Sequence, residues 1–216
     1  MSSALRVIAI DGPAGAGKST IARALAARLG LEYLDTGAMY RGVTFAALGA
    51  GIPVDDAAAI AELSRRVELH VADRVLVDGV DATAAIRTAE VTAAVSAVAA
   101  NSEVRTEMRR QQQEWAIARG GGVIEGRDIG SVVFPDATLK LFLTASPRVR
   151  AQRRAAENGG DVDAIEADIA RRDEHDSNRA DSPLTAASGA LIVDTTGRSI
   201  DEVVDHIGTL LEQATR

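Results

Sequence analysis

The chain contains no cysteine, which excludes disulfide bonds and metal sites built from thiolates. It has three histidines that are far apart in the sequence, at His70, His175 and His206, and this spacing argues against a zinc site. A formal net charge of -7 argues against non-specific binding of nucleic acid, which normally requires a basic face. Composition therefore points away from zinc chemistry and from nucleic-acid partners.

Long apolar runs are also lacking, and no stretch reaches the roughly 18 apolar residues that a membrane-spanning helix needs. The first ten residues, MSSALRVIAI, carry one arginine and only a short apolar run before Asp11. This run is too short for a signal peptide, so we expect a cytoplasmic protein without membrane association. The 216 residues, 46% of them hydrophobic, suffice for a buried core in one large domain or two small ones.

Lysine is scarce, since Lys18 and Lys140 are the only lysines among 24 basic residues. An arginine at any one position is therefore weakly informative, whereas a lysine is more so. Lys18 lies in DGPAGAGKST, residues 11–20, where the pattern G-x-x-x-x-G-K-[ST] runs from Gly12 to Ser19. Glycines let successive N–H groups point at one anion, and a helix N-terminus adds its positive end.

The surroundings of this motif fit a phosphate-binding loop. The apolar run Val7–Ile10 predicts a strand before it, and the spacing within Lys18–Leu29 predicts a helix after it, ended by Gly30. We expect Lys18 to reach the β- and γ-phosphates of a nucleoside triphosphate and Ser19 to bind Mg²⁺. The alternative is a glycine-rich turn that only starts a helix. The predicted triphosphate contacts are Gly12, Pro13, Ala14, Gly15, Ala16, Gly17, Lys18, Ser19 and Thr20.

The rest of the chain alternates strands and helices, which favours an α/β fold with a parallel sheet covered by helices on both faces. Further strands are predicted at 122–124, 138–143 and 190–193. Two regions depart from this rhythm. Residues 63–81 alternate with period two and predict a small β insertion, and residues 148–180 predict two charged helices broken at Asn158-Gly159-Gly160. We interpret residues 1–216 as one domain with two excursions.

Three classes of phosphate-loop protein are considered: switch GTPases, motor or regulatory ATPases and small-molecule kinases. The base-reading motif Asn/Thr-Lys-x-Asp of GTPases is absent, because Lys140 lies in TLKLF. The apolar run VIEG at 123–126 is too short for the acidic motif of a motor ATPase. A kinase needs an acceptor site opposite the loop, and three stretches offer suitable residues.

These stretches are LDTGAMYR (34–41), EGRDIG (125–130) and RRDEHDSNR (171–179). EGRDIG follows a predicted strand, and ligands of open α/β sheets bind off that edge. In RRDEHDSNR, Arg172 and Asp176 are four residues apart and share a helix face. Each stretch has a purely structural alternative: a turn that starts a helix, a surface ion pair, or a salt bridge within a helix.

Taken together, the motifs AIDGPAGAGKST, LDTGAMYRG, IRTAEV, EGRDIGSVVFPDA and RRDEHDSNRADSPL resemble the bacterial cytidylate kinase family over nearly the whole chain. The resemblance implies the nucleoside-monophosphate kinase fold, with a five-stranded parallel sheet and the phosphate loop at 12–20. It also implies a monophosphate-binding part at about 36–96 that carries the β insertion, and a mobile lid at about 148–168. The implied reaction transfers the γ-phosphate of ATP to CMP and dCMP with Mg²⁺, in a monomer.

The resemblance further implies a set of residues that bind the acceptor: Thr36, Tyr40, Arg41, Ser96, Arg105, Arg127, Asp128, Arg172, Asp176 and Arg179. Within it, Arg41 and Arg127 are expected to grip the acceptor phosphate. Three members are expected to read cytosine, namely Ser96, Arg105 and Asp128.

The remaining members of the set also have implied roles. Arg172 and Asp176 are expected to contact the ribose, and Arg179 a phosphate near the transfer. Lys18, Arg127 and Arg179 are the predicted catalytic residues.

Three arginines at the start of the predicted lid are candidates to close on ATP: Arg150, Arg153 and Arg154, with Arg153 placed in the ATP site. Glu125 stands where many members of the family have Asp, and Thr36 where others have Ser. Outside the motifs, Asn101-Ser102-Glu103 predicts a helix boundary with Ser102 as the cap.

Overall fold

The computed structural model describes residues 5–179 and 181–214 of the chain. They separate into two compact units: a core unit within residues 1–33 and 116–216, and an inserted unit of Leu34–Trp115. Among the described residues, no helix is both long enough and apolar enough to cross a bilayer.

The strands, in chain order, are β1 (Arg6–Asp11), β2 (Tyr33–Asp35), β3 (Leu69–Val71), β4 (Val75–Val77), β5 (Val80–Asp81), β6 (Gly121–Glu125), β7 (Leu139–Thr144) and β8 (Leu191–Asp194). The α-helices are α1 (Lys18–Leu29), α2 (Thr36–Gly49), α3 (Ala57–Arg66), α4 (Ala89–Ala100), α5 (Ser102–Arg119), α6 (Pro147–Asn158), α7 (Val162–Ser177) and α8 (Ile200–Ala214). A 3-10 turn lies at Ala85–Arg87 and a π-helical turn at Ile129–Val133.

The main sheet has five strands among the described residues, in the order β2-β6-β1-β7-β8. β1 is central and pairs in parallel with β6 and β7, so that Ile8 lies beside Val123 on one side and Leu139 on the other. The strands are apolar because helices cover them, and Leu25 of α1 and Ile207 of α8 belong to the same buried cluster as Ile8. The predicted parallel α/β sheet is confirmed.

The ends of α1 follow from two glycines in left-handed backbone. Gly17 has φ 87° immediately before the helix, and Gly30 has φ 63° immediately after it. A residue with a side chain adopts this conformation at a cost, which makes glycine the usual residue there. The predicted helix 18–29, ended by Gly30, is confirmed.

The inserted unit contains the predicted β insertion as an antiparallel sheet in the order β3-β4-β5, with Leu69 opposite Val77. The prediction began this insertion at residue 63, and that start is wrong. Residues up to Arg66 belong to α3 and Val67 follows the helix, because Ile60 and Ser64 are four residues apart and both buried on one helical face.

The predicted cap at Ser102 is also wrong by one residue. Asn101 Oδ1 accepts the N–H groups of Glu103 and Val104, at 3.0 and 3.3 Å, and Ser102 is already the first residue of α5. Asparagine is at least as good an N-cap as serine, so the neighbouring residue takes the position.

Helices α6 and α7 meet at the predicted break. Ser146 caps α6 and Pro147 occupies its first turn, while Gly159 ends it with φ 73°. Exposed ion pairs link the two helices, from Arg148 to Asp163 and to Glu166. Pairs this exposed contribute little to stability, about 0–1 kcal/mol each.

Candidate active site

The loop between β1 and α1 has the backbone that the phosphate motif requires. Gly12, Gly15 and Gly17 all have positive φ, at 145°, 76° and 87°. Gly12 also passes so close to β7 that a Cβ there would lie 2.1 Å from the carbonyl oxygen of Leu143. Only glycine fits at this position, because the conflict is with backbone that cannot move aside.

Lys18 is folded back onto this loop, and its Nζ donates a hydrogen bond to the carbonyl oxygen of Pro13 at 2.9 Å. Burial, and then the positive charge of Arg127, lower the pKa of Lys18 to about 7, while Glu125 and Asp11 act in the opposite direction. An anion bound in the loop would therefore favour the charged form of Lys18. Ser19 and Thr20, which follow it, are exposed at the start of α1.

Beside the loop lies a cavity of about 420 Å³. Its lining residues are Ala16, Gly17, Thr20, Ile21, Arg153, Thr195, Arg198, Ser199, Ile200 and Val203. Arg153 donates to the hydroxyl of Thr195 at 3.0 Å and to its carbonyl oxygen at 2.8 Å. The Thr195 hydroxyl donates in turn to the Ala16 carbonyl at 3.1 Å, which ties this wall to the phosphate loop. The volume falls within the range of small-molecule sites.

A buried cluster of charge joins the loop after β6 to the end of α7. Arg127 Nη1 donates to the carbonyl oxygen of Gly12 at 2.6 Å, and its Nε lies 3.1 Å from a carboxylate oxygen of Asp176. Arg179 pairs with the other oxygen of Asp176. The Asp176 side chain is only 1% exposed. Arg172, one turn earlier on α7, is close enough to lower the pKa of Lys18.

Asp128, next to Arg127, is buried where the chain turns from β6 into the π-helical turn. The N–H groups of Ile129 and Gly130 are donated to the carboxylate of Asp11 on β1, each at 2.8 Å. Burial is the main cause that raises the pKa of Asp11, to about 6, and the two N–H bonds act against it. π-helical turns are frequent at functional sites.

Arg150 does not occupy the position expected of a residue that closes on ATP. It is buried beneath the phosphate loop, where it donates to the carbonyl oxygens of Ala145 and Ala14, both at 3.1 Å, and pairs with Asp173 of α7. The reason is steric, because Gly15 packs directly against the Arg150 Cβ. In this structure Arg150 supports the backbone of the loop.

In the inserted unit, Arg41 and Thr92 are brought together. Arg41 Nη1 donates to the Thr92 hydroxyl and to the carbonyl oxygen of Ile86, both at 2.9 Å. Ser96 lies one turn after Thr92 on α4 and is half-buried. Thr36 is buried in the first turn of α2, which Asp35 caps.

Tyr40 and Arg105 form a second pair in this unit. The guanidinium of Arg105 lies 5.6 Å from the centre of the Tyr40 ring and donates to the carbonyl oxygen of Ala99 at 3.2 Å. Arg105 is 2% exposed, and a charge held this far inside a protein needs partners of this kind. The predicted residues of the inserted unit are thus anchored on α2, α4 and α5.

Sequence reasoning assigned no role to Asp11 and left that of Glu125 open. Glu125 is buried at the end of β6 and accepts a hydrogen bond from the Tyr33 hydroxyl. Both acids could have been noticed as charged residues that end apolar strands. What the sequence could not give is the partner of each, because those partners lie far away along the chain.

The comparisons with known proteins agree with this geometry. Residues 8–213 match the family model described as "Cytidylate kinase". Curated proteins named "Cytidylate kinase" include one from Mycobacterium leprae (strain Br4923), 51% identical with 96% of both chains covered. Another, from Shouchella clausii (strain KSM-K16), is 49% identical with 97% of both covered.

Solved structures show likeness in fold. A gluconokinase from Sinorhizobium meliloti 1021 has a TM-score of 0.52 at 15% identity, with 97% of this chain and 93% of that one covered. TT1252 from Thermus thermophilus has a TM-score of 0.51 at 18% identity, with 96% and 97% covered. At this level of identity, only the fold is shared.

Proposed function

The chain belongs to the cytidylate kinase family, and from this premise we propose that it transfers the γ-phosphate of ATP to CMP, and to dCMP, in pyrimidine nucleotide metabolism. The observation that supports this best is the position of Arg127. It donates to the carbonyl of Gly12 in the phosphate loop and is paired with Asp176 at the same time. A guanidinium at this place suits a second phosphate next to the donor.

The arrangement favours a kinase over an ATPase. Arg127, Arg172 and Arg179 put permanent positive charge near the phosphate loop, where a developing negative charge on the transferred group needs it. A guanidinium stays charged and binds phosphate through two hydrogen bonds. The acceptor oxygen of CMP belongs to a phosphate that is already mostly ionised near neutral pH, so the reaction needs no strong base.

On the donor side, the phosphate loop is proposed to bind the triphosphate and the cavity near Arg153 the rest of ATP. Among residues 5–179 and 181–214 no three His, Asp or Glu side chains cluster so as to hold a metal ion. Mg²⁺ fits this site because it prefers oxygen ligands and is usually bound through substrate phosphates and water. The Ser19 hydroxyl is the protein ligand we propose, and the ion would neutralise charge on the phosphates.

On the acceptor side, we keep the roles that the family resemblance implies. Arg41 and Arg127 are proposed to hold the phosphate of CMP, and Arg172 and Asp176 its ribose. Two groups already occupied by protein partners, Arg127 and Arg179, would exchange part of those contacts for phosphate oxygens when CMP binds. Ser96, Arg105 and Asp128 are the proposed cytosine contacts.

The test is to follow ADP release from Mg·ATP with CMP, dCMP, UMP, AMP or GMP as the acceptor, each offered separately. CMP and dCMP should be used fastest, and ADP release without an acceptor should be slow. Rapid hydrolysis that does not depend on the acceptor would favour an ATPase instead. The monomeric state and the cytoplasmic location stay predictions that sedimentation and cell fractionation can address.

A further inference from the structure

Asp11 is the last residue of β1, and its carboxylate is 2% exposed. One of its oxygens accepts the N–H of Ile129 and the other the N–H of Gly130, both at 2.8 Å. These are the first two residues of the π-helical turn, and they directly follow Arg127 and Asp128. A side chain that begins the donor loop therefore holds the loop that carries the proposed acceptor contacts.

The neighbouring residue makes the reciprocal contact. The carbonyl oxygen of Gly12 accepts a hydrogen bond from Arg127 Nη1 at 2.6 Å. Residues 11 and 12 thus fix residues 127–130 at three atoms, two of them backbone nitrogens. Three bonds from adjacent residues define the distance and the orientation of one loop relative to the other.

A buried carboxylate is a costly way to cap two N–H groups. The charged groups that act on Asp11 are the carboxylate of Asp128, which repels it, and the more distant Lys18, which attracts it. Burial raises the pKa of Asp11 to about 6, so near neutral pH the charge is retained in a place that disfavours it. Functional sites are where such costs are usually found.

Only the ionised form can accept both N–H groups with equal geometry. A protonated carboxyl or an asparagine amide would present a donor to one of the two, and that N–H would lose its partner. The loop would then shift by a fraction of an ångström around Arg127 and Asp128. Displacements of about 1 Å can cost as much as 100-fold in rate.

We propose that Asp11 is a positioning residue, whose ionised carboxylate holds Arg127 and Asp128 in register with the phosphate loop for CMP binding and transfer. The proposal rests on the proposed function, in which these two residues contact CMP. Asp11 itself does not have to touch either nucleotide. Its removal should therefore affect the acceptor more than the donor.

The test is the steady-state kinetics of Asp11→Asn, with CMP varied at saturating ATP and then ATP varied at saturating CMP. We expect kcat/KM for CMP to fall about 10- to 100-fold, while KM for ATP changes less than about threefold. The thermal midpoint should not fall, because a neutral side chain removes the buried charge. The matched control is Asp56→Asn, which alters an exposed carboxylate that accepts the N–H of Ala59 at the start of α3.

Parallel variants separate failure of this proposal from failure of the proposed function. If Arg127→Lys and Asp128→Asn impair CMP turnover but Asp11→Asn does not, the positioning role is wrong and the proposed function stands. If none of the three alters CMP turnover, the acceptor site is misassigned and the positioning role fails with it. Equal losses for CMP and ATP in Asp11→Asn would also overturn the proposal, because they indicate general damage.

Should Asp11→Asn not fold, the wild-type protein still provides a test. Cytidine carries no phosphate, so its charge does not change between pH 7.5 and 5.5, whereas Asp11 becomes largely protonated. We expect its dissociation constant to rise roughly fourfold over this interval, in line with the loss of the ionised form. An affinity for cytidine that stays constant would overturn the proposal.

Discussion

Arg127 and Asp176 face each other across 3.1 Å, and this contact joins the loop after β6 to helix α7. Both side chains are largely withdrawn from solvent, at 16% and 1% exposed. Asp176 also pairs with Arg179, so one carboxylate compensates two guanidinium groups. The predicted ribose contact is therefore also an electrostatic centre of the site before any nucleotide is bound.

Replacement of Asp176 by Ala should destabilise the protein by about 3–5 kcal/mol, because two arginines lose their buried counter-charge. Urea unfolding measures the change in the free energy of unfolding. Asp163→Ala, which breaks the exposed pair with Arg148, is the matched control and should cost less than about 1 kcal/mol. Similar values for the two variants would show that burial of Asp176 does not make its ion pairs important.

Lys18→Ala should give a folded protein whose phosphoryl transfer is reduced by about two to three orders of magnitude, the scale of one group that stabilises transition-state charge. The other lysine provides the control. Lys140 donates to the carbonyl oxygen of Ser188, and Lys140→Ala should keep the rate within about a factor of two. Normal turnover by Lys18→Ala would mean that the donor site has been placed wrongly.

The raised pKa of Asp11 predicts how stability depends on pH. The folded carboxyl ionises near 6 and the unfolded one near 3.8, so between these values the folded state binds more protons. Stability from this group is greatest below pH 3.8 and falls as the pH rises through 6. A difference of about two pKa units corresponds to roughly 3 kcal/mol.

Asp11→Asn should consequently gain stability relative to the wild type as the pH rises from 4 to 7. Denaturant unfolding of both proteins at each pH isolates this contribution, since other titrating groups cancel in the difference. A constant difference over this interval would contradict the raised pKa.

The sequence was sufficient where local patterns determine the structure. The loop from Gly12 to Ser19 and the strand before it follow from glycine spacing and an apolar run. The break at Gly159 follows from a pair of glycines in a charged segment. In each case the physical cause lies within about ten residues of its effect, so no tertiary information is needed.

It was insufficient where a residue depends on a distant partner. Arg150 was expected to close on ATP, but the packing of α6 against Gly15 places it under the loop. Asp11 was visible only as a charge that ends a strand, because its partners Ile129 and Gly130 are more than a hundred residues away. The family resemblance gave roles for individual side chains and did not show which of them hold each other.

Residues 148–168 are predicted to act as a lid that becomes ordered when both nucleotides bind. α6 and the start of α7 are joined partly through exposed ion pairs of Arg148, and segments with few buried contacts have low local stability. Hydrogen exchange, with and without an analogue that spans both nucleotide sites, should show added protection in this segment. The buried strand β1 serves as the internal reference, and equal protection of the lid in both states would contradict the prediction.

The last prediction concerns the base. Cytosine offers an amino donor at C4, where uracil has a carbonyl oxygen, and an acidic side chain accepts from that amino group. Asp128 is the proposed acceptor and is 5% exposed, so water cannot readily replace a lost partner. A mispaired buried polar group costs roughly 1–3 kcal/mol, and more when it is charged. CMP should therefore be preferred over UMP by at least about ten- to a hundred-fold in kcat/KM.

Asp128→Ala removes both the attraction to cytosine and the repulsion of uracil. The variant should lose far more CMP turnover than UMP turnover, so that the ratio of the two narrows towards one. Asp136→Ala changes an exposed carboxylate shortly after the same turn and should leave the ratio unchanged. Competition between CMP and UMP in one reaction mixture measures the ratio directly. If the ratio in Asp128→Ala equals that of the wild type, this carboxylate does not read the base, and discrimination must come from other groups that contact the pyrimidine.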